Sequence, residues 1–266
     1  MAFLFLQTTL DICTNAAKLI GLETCMHLTC TNMRKEKIDE ALRVCKENGI
    51  QNILALRGGK GLVFSPPFSQ CGRLSDFPAL LDPPVGQERW TAVEGGFANA
   101  VDLVRYIRKE YGDYFGIGVA GTTTFLSVHS CVLNRSPPLG YPEGHSDATS
   151  LEEDIQHLKE KVDAGGDYII TQLFYDVNNF LKWVAKCREV GITVPIVPGI
   201  MPIHTFAGWK RMTTLGKTLI PPKMAEELEA IKDDDQAVRE YGIRYCIQMI
   251  KDMISGGITG NESIIR

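Results

Sequence analysis

"IDEALRVCKENGIQNILALRG", residues 38–58, holds a helix, a stop and a strand in one short run. Ile38, Leu42 and Cys45 recur at three- and four-residue spacing, the apolar stripe of an amphipathic helix. Gly49 stands where that period ends, and glycine is the residue best able to take the left-handed turn that closes a helix. Asn52 to Leu56 then runs apolar with little alternation, as a strand buried on both faces does. Arg57 and Gly58 follow, at what this pattern makes a strand tip.

The same grammar recurs along the chain. "NAAKLIGLETCMHLTC" turns at Gly21, "VDLVRYIRKEYGDYFGIGVAG" at Gly112, "DIQHLKEKVDAGGDYIITQLFY" at Gly165 and "FLKWVAKCREVGITVPIVPGI" at Gly191. Val101, Val104 and Ile107 repeat the helical spacing seen at Ile38. Five helix–glycine–strand units predict a parallel sheet covered by helices, in either a barrel or a doubly wound sheet.

Composition narrows the class of protein. A chain of 266 residues, 44% hydrophobic, can bury one large α/β domain or two small ones. The net charge of −4 and the scattered Lys and Arg give no nucleic-acid footprint. No apolar run reaches the ~18 residues that span a bilayer, and "MAFLFLQ" lacks the basic start of a signal peptide. The eight cysteines form no C-x-x-C, and Cys25 and Cys30 are spaced too loosely for a zinc knuckle, so no metal site is expected. Buried, reduced thiols and a cytoplasmic location are the expectation.

Two units are too long. Gly21 to Gly49 spans 28 residues and Gly165 to Gly191 spans 26, but Gly49 to Gly112 spans 63 and Gly112 to Gly165 spans 53. The excess lies in Gly59–Leu81 and Thr122–Gly140, which hold five of the 13 prolines and no glutamate. Long loops after strands can be active-site lids. Two such segments at strand tips, each unlike its surroundings, read instead as insertions foreign to the fold.

With both set aside, "NILALRG" joins "DPPVGQERW" and "IGVAG" joins "YPEGHSDA". The joined strings "LRGDPP" and "VAGYPEGH" resemble the methylenetetrahydrofolate reductase family, whose members are flavin-dependent (β/α)8 barrels. "GLETCMHLTC", "DLVRYIRKEYGDYF", "EEDIQHLKEKVDAGGDYIITQLFY", "VPIVPGIMPI" and "IKDDDQAVREYGI" extend the resemblance in order from about Thr8 to Gly257. It implies an α/β fold of TIM-barrel type with about six of eight strands present, 1–266 forming a partial catalytic barrel interrupted at 59–81 and 122–140.

Barrel enzymes carry their chemistry on the loops after the strands, and the polar candidates sit there. By similarity His27, Arg57, Gly58, Asp82, Ala100, Tyr141, His145, Ala148, Asp154 and Lys161 would hold FAD. Asp82 and Gln172 match positions that touch the folate. Asp154 and Lys161 are seven apart on one predicted helix and so share a face. Lys161 offers a point charge suited to a diphosphate, and Arg57 beside Gly58 combines a fork of donors with close backbone approach. Asn99 stands where the family has an aromatic residue. Taken alone, His27 reads as a core histidine, Lys161 and Asp154 as solvated helix charges, and Arg57 as half of an ion pair. His157 and His204 read as structural. "RGGKGL" lacks the phosphate-loop spacing, and there is no G-x-G-x-x-G.

The resemblance implies reduction of 5,10-methylenetetrahydrofolate to 5-methyltetrahydrofolate, with NADH or NADPH as co-substrate, within one-carbon metabolism and methionine biosynthesis. The partners implied are the folate and the two redox cofactors, with neither nucleic acid nor membrane, and a homo-oligomer is left open. The family's ring-opening acid is a Glu on its first strand, in an "FEFFPP"-like motif that has no counterpart here. No catalytic residue is therefore assigned, and the expectation is an impaired reductase. The split motifs also match unspliced introns or a mispredicted gene. A non-catalytic chain that keeps a flavin- or partner-binding face is the alternative.

Overall fold

In the computed structural model the described residues are 2–30, 33–57, 94–121, 151–215 and 218–258. The two proline-bearing segments, with Gly58, Asp82, Tyr141, His145 and Ala148, lie outside them. Helix α1 (Ala2–Asn15) runs into a π-helical turn, Ala16–Ile20, and is followed by β1 (Cys25–Thr29). Next come α2 (Lys35–Glu47), β2 (Asn52–Leu56), α3 (Ala100–Tyr111) and β3 (Gly116–Gly121). Helix α4 (Leu151–Asp163), β4 (Tyr168–Leu173), α5 (Val177–Glu189) and β5 (Ile196–Gly199) continue the alternation. Three helices close the described chain: α6 (Phe206–Leu215), α7 (Pro222–Ala230) and α8 (Asp235–Ser255).

All five turn glycines precede a strand in the predicted way, and each has positive φ, from 55° at Gly112 to 118° at Gly165. The strands form one parallel sheet in the order β1-β2-β3-β4-β5. A doubly wound sheet reverses its strand order at a switch point, whereas a barrel adds each strand beside the last. The order here is the barrel's. The described residues hold five strands where the sequence led to about six, and beyond β5 they form α6–α8.

Two faces of the sheet divide the side chains. Met26, Leu28, Ile53, Ala55, Ile117, Val119, Ile169 and Ile196 pack under the helices, all at most 1% exposed. Ile38, Leu42 and Cys45 of α2 and Val104 and Ile107 of α3 meet them, each fully buried. Val101, expected on the same stripe, lies half-buried and lines a cleft instead. On the other face Tyr168 of β4 reaches Cys25 of β1, with the hydroxyl 3.3 Å from the sulfur. In a flat sheet these strands would lie about 14 Å apart, beyond the reach of the two side chains. The sheet is therefore curled, with that face inside. Gly118 makes room: a Cβ there would stand 2.6 Å from the Tyr168 ring.

Candidate functional site at the strand ends

The C-terminal end of β2, the start of α3 and one face of α4 converge on one cleft. Its approach is held by residues 94–99, whose Gly95 carbonyl accepts from the Lys35 N–H at 3.1 Å and whose Gly96 bridges Arg34. The Phe97 ring packs on Tyr106 at 5.1 Å, and the Lys35 ammonium lies 4.7 Å from the centre of the Tyr106 ring. This anchorage aims the first turn of α3 at the tip of β2. Asn99 is the N-cap, in extended conformation and without a side-chain capping bond. The first N–H groups of a helix and its dipole together favour an anion.

The cleft encloses about 180 Å³ and is lined by Arg57, Asn99, Ala100, Val101, Asp102, Arg105, His157, Glu160 and Lys161. Lys161 is only 8% exposed. Its ammonium donates to the Ala120 carbonyl at 2.7 Å, tying α4 to the end of β3. A buried ammonium requires such partners, since a stranded charge in the interior is costly. A smaller cavity of about 20 Å³ adjoins, lined by Ala120, Gly121, Asp154, His157, Leu158, Lys161 and Trp183. Arg57 is bound to its neighbouring strand through its carbonyl, which accepts from the Cys30 thiol at 3.6 Å.

The structure thus gathers Arg57, Ala100 and Lys161 at one cleft and sets Asp154 beside Lys161 in the next. His27 and Gln172 stand elsewhere, on the inner face of the curled sheet. His27 is exposed there, although the surrounding strand strips enough water from the ring to push its pKa below the ordinary value. Gln172 is half-buried, and its side-chain oxygen accepts from the Leu173 N–H at 3.3 Å.

His157, which reads as structural in the sequence, lines both cavities. The signal was present: His157 lies three residues after Asp154 and four before Lys161, on the same helical face. Arg105 and Glu160 line the larger cavity too, with Arg105 paired to Asp102 at 3.7 Å. The cysteines divide as well. Cys13, Cys30, Cys45 and Cys187 are buried, but Cys246 is half-buried and Cys25 exposed, and Cys71 and Cys131 lie outside the described residues. Among the described residues no group of His, Cys, Asp and Glu is arranged for a metal ion. No described helix is long and apolar enough to cross a membrane.

A curled parallel α/β sheet in barrel order, with a cleft of mixed cationic and acidic side chains where the tip of β2 meets the start of α3, defines an α/β protein of barrel type. The family model for methylenetetrahydrofolate reductase matches residues 5–65, 79–132 and 139–261, and the chain belongs to that family. The stretches left unmatched, 66–78 and 133–138, fall within the two proline-bearing segments. Methylenetetrahydrofolate reductase (NADH) 1 of Arabidopsis thaliana is 47% identical over 251 residues, covering 94% of this chain and 37% of that protein. Methylenetetrahydrofolate reductase 2 of Saccharomyces cerevisiae is 42% identical, covering 96% and 36%. The probable methylenetetrahydrofolate reductase (NADPH) of Caenorhabditis elegans is 37% identical, covering 89% and 29%. The chain spans little more than a third of the length of the plant relative.

Proposed function

We propose that this chain serves a reductase that converts 5,10-methylenetetrahydrofolate to 5-methyltetrahydrofolate, with FAD bound at the strand ends and NADH or NADPH as reductant. Bound there, FAD would supply the two-electron chemistry, accepting hydride from the nicotinamide and delivering it to the methylene carbon. The observation that carries the reading is the cleft itself, where three residues implicated by family similarity, Arg57, Ala100 and Lys161, are gathered beside the start of α3.

The fit follows from charge and size. The Arg57 guanidinium offers a planar fork of donors, Lys161 a compact cation and α3 its first N–H groups. A cleft of about 180 Å³ has room for the anionic centre of a dinucleotide and not for all of it, since whole ligands need about 300 Å³ or more. By similarity Gly58, Asp82, Tyr141, His145 and Ala148 would add the rest, with Asp154 and His27 on either side. Gln172, with Asp82, would meet the folate on the inner face. Opening the imidazolidine ring needs an acid at the departing nitrogen. No carboxylate stands at the described ends of β1, β2 or β3, and by similarity the acid would be a first-strand Glu.

In the family motif Arg, Gly and Asp are adjacent, whereas Gly58 and Asp82 are 24 positions apart here. A displacement of about 1 Å can cost roughly a hundredfold in rate. The 266-residue chain alone should therefore retain little FAD and show no turnover. Flavin absorbance after reconstitution and oxidation of NADH or NADPH with the folate as acceptor test this directly. Deleting 59–81 and 122–140 should strengthen FAD retention, and Lys161→Met should then abolish it. Flavin binding that ignores both changes would defeat the assignment of the cleft, and turnover by the unmodified chain would defeat the expected impairment.

A further inference from the structure

β4 carries one more residue than β5 near their ends. Ile170 stands opposite Val197 and Leu173 opposite Gly199, so Thr171 and Gln172 together face Pro198. Proline has no N–H for the ladder and occurs in sheets at edges and bulges. Two residues against one is a β-bulge. The Thr171 hydroxyl serves as a bridge across it. It accepts from the Gly199 N–H at 2.9 Å and donates to the Gln172 carbonyl at 3.0 Å, and Thr171 is only 5% exposed.

Gly199 closes the arrangement from β5. A Cβ at that position would stand 2.4 Å from the Thr171 carbonyl oxygen and 3.0 Å from the carbonyl carbon and oxygen of Gln172. These are backbone atoms and cannot swing aside. Beyond the bulge the Leu173 N–H turns to the Gln172 side chain. The backbone on both sides of Gln172 is thus fixed, by a hydroxyl, by a missing side chain and by the glutamine's own amide.

We infer that Thr171 and Gly199 are positioning residues that set the Gln172 amide against the folate. The inference rests on the reading of Gln172 as a folate contact. Bulges re-aim side chains beside functional sites, and this one lies at the residue in question. Removing the hydroxyl leaves the Gly199 N–H without its partner and lets the Gln172 peptide rotate, carrying the side chain away from its target.

The test is titration of the full 266-residue chain and its variants with 5-methyltetrahydrofolate, with thermal unfolding followed alongside. Gln172→Ala should weaken binding about tenfold, the scale of one lost hydrogen bond. Thr171→Val should weaken it similarly, and Thr171→Ser should restore it. The double variant Thr171→Val/Gln172→Ala should bind no worse than Gln172→Ala, because one residue acts through the other. Gly199→Ala, where it folds, should behave in the same way alone and with Gln172→Ala, and the smaller Thr171→Ala serves if Thr171→Val gives little folded protein. Losses that multiply in the double variants, or wild-type affinity in Thr171→Val, would overturn the inference. Wild-type affinity in Gln172→Ala, or no folate binding by the unmodified chain, would instead defeat the reading of the site, and the inference with it.

Discussion

Arg108 shows how one side chain can hold several backbone segments. From the last turn of α3 its guanidinium donates to the carbonyls of Gly165 at 2.7 and 2.9 Å, Phe115 at 2.8 Å and Gly112 at 3.1 Å, and it also pairs with Asp167. Asp167 in turn accepts from the Ile117 N–H at 2.7 Å. Arg188 repeats part of the device on α5, donating to the carbonyls of Ile192 and Val194 at 2.8 Å. Arg108→Ala strands several partly buried acceptors and should destabilise the fold by about 2–4 kcal/mol in urea unfolding. Arg108→Lys should recover less than half of that, since an ammonium cannot reproduce the planar fork. A loss below about 0.5 kcal/mol, the level of an ordinary surface change, would show the network to be ornamental. The thiols make a second prediction at this scale. Burial pushes both Cys45 and Cys187 up to about 12. A raised thiol pKa keeps the proton on, so at pH 8 only about one in ten thousand of either would be thiolate. Mass spectrometry after brief alkylation at pH 8 should find both unmodified in the native chain and modified once it is unfolded. Native-state labelling of either would contradict the packing described for them.

The helix–glycine–strand unit is where sequence and structure agree best, because its signal is local. A stripe at helical spacing, a glycine and an apolar run each reflect forces acting within a few residues. Gly49 and Gly118 separate two reasons for glycine within such units. Gly49 has φ of 74° with nothing within 4 Å of an added Cβ, so Gly49→Ala should cost about 1 kcal/mol from backbone strain alone. Gly118 has ordinary φ but lies under Tyr168, so Gly118→Ala should cost about 1–3 kcal/mol from crowding. Tyr168→Val should relieve the second substitution and leave the first unchanged, a difference that thermal unfolding of the three single and two double variants resolves. Equal effects in both backgrounds would mean that Tyr168 does not cover Gly118. What sequence did not disclose depends on distant residues meeting. The bond between Cys25 and Tyr168 joins strands far apart in the chain, and the bulge at Pro198 depends on register. The place of His157 depends on a meeting of the same kind, since only the fold lays α4 beside the tips of β2 and β3. The Arg57, Ala100 and Lys161 grouping was legible through family resemblance, and not from the spacing of those residues.

At the scale of the whole molecule, the described sheet has two open sides and the helical layer two apolar ends. β1 pairs only with β2 and β5 only with β4 among the described residues. Beside β1, Ile12, Leu19, Ile20 and Leu22 are 55–79% exposed. At the other end, Ile243, Ile247 and Ile254 are 48–59% exposed, and with the partly buried Ile250 they follow one face of α8. Val238, Gly242, Met249 and Met253 bury the opposite face of that helix. Isolated exposed apolar residues are ordinary, but contiguous stripes and unpaired strand edges both favour association. The 266-residue chain by itself is therefore expected to self-associate, with a sedimentation coefficient that rises with concentration. The two features can be separated. Ile243→Lys with Ile247→Lys removes part of the α8 stripe and leaves the strand edges intact. Both sites are exposed, so unfolding should shift by no more than about 0.5 kcal/mol. If the stripe drives association, the double variant should sediment at lower mass at the same loading. If the edges drive it, association should persist and should instead weaken when a proline on the open side of β1 blunts that edge. A monodisperse monomer with one sharp cooperative transition, across the concentration range, would show that these faces are compatible with a solitary chain.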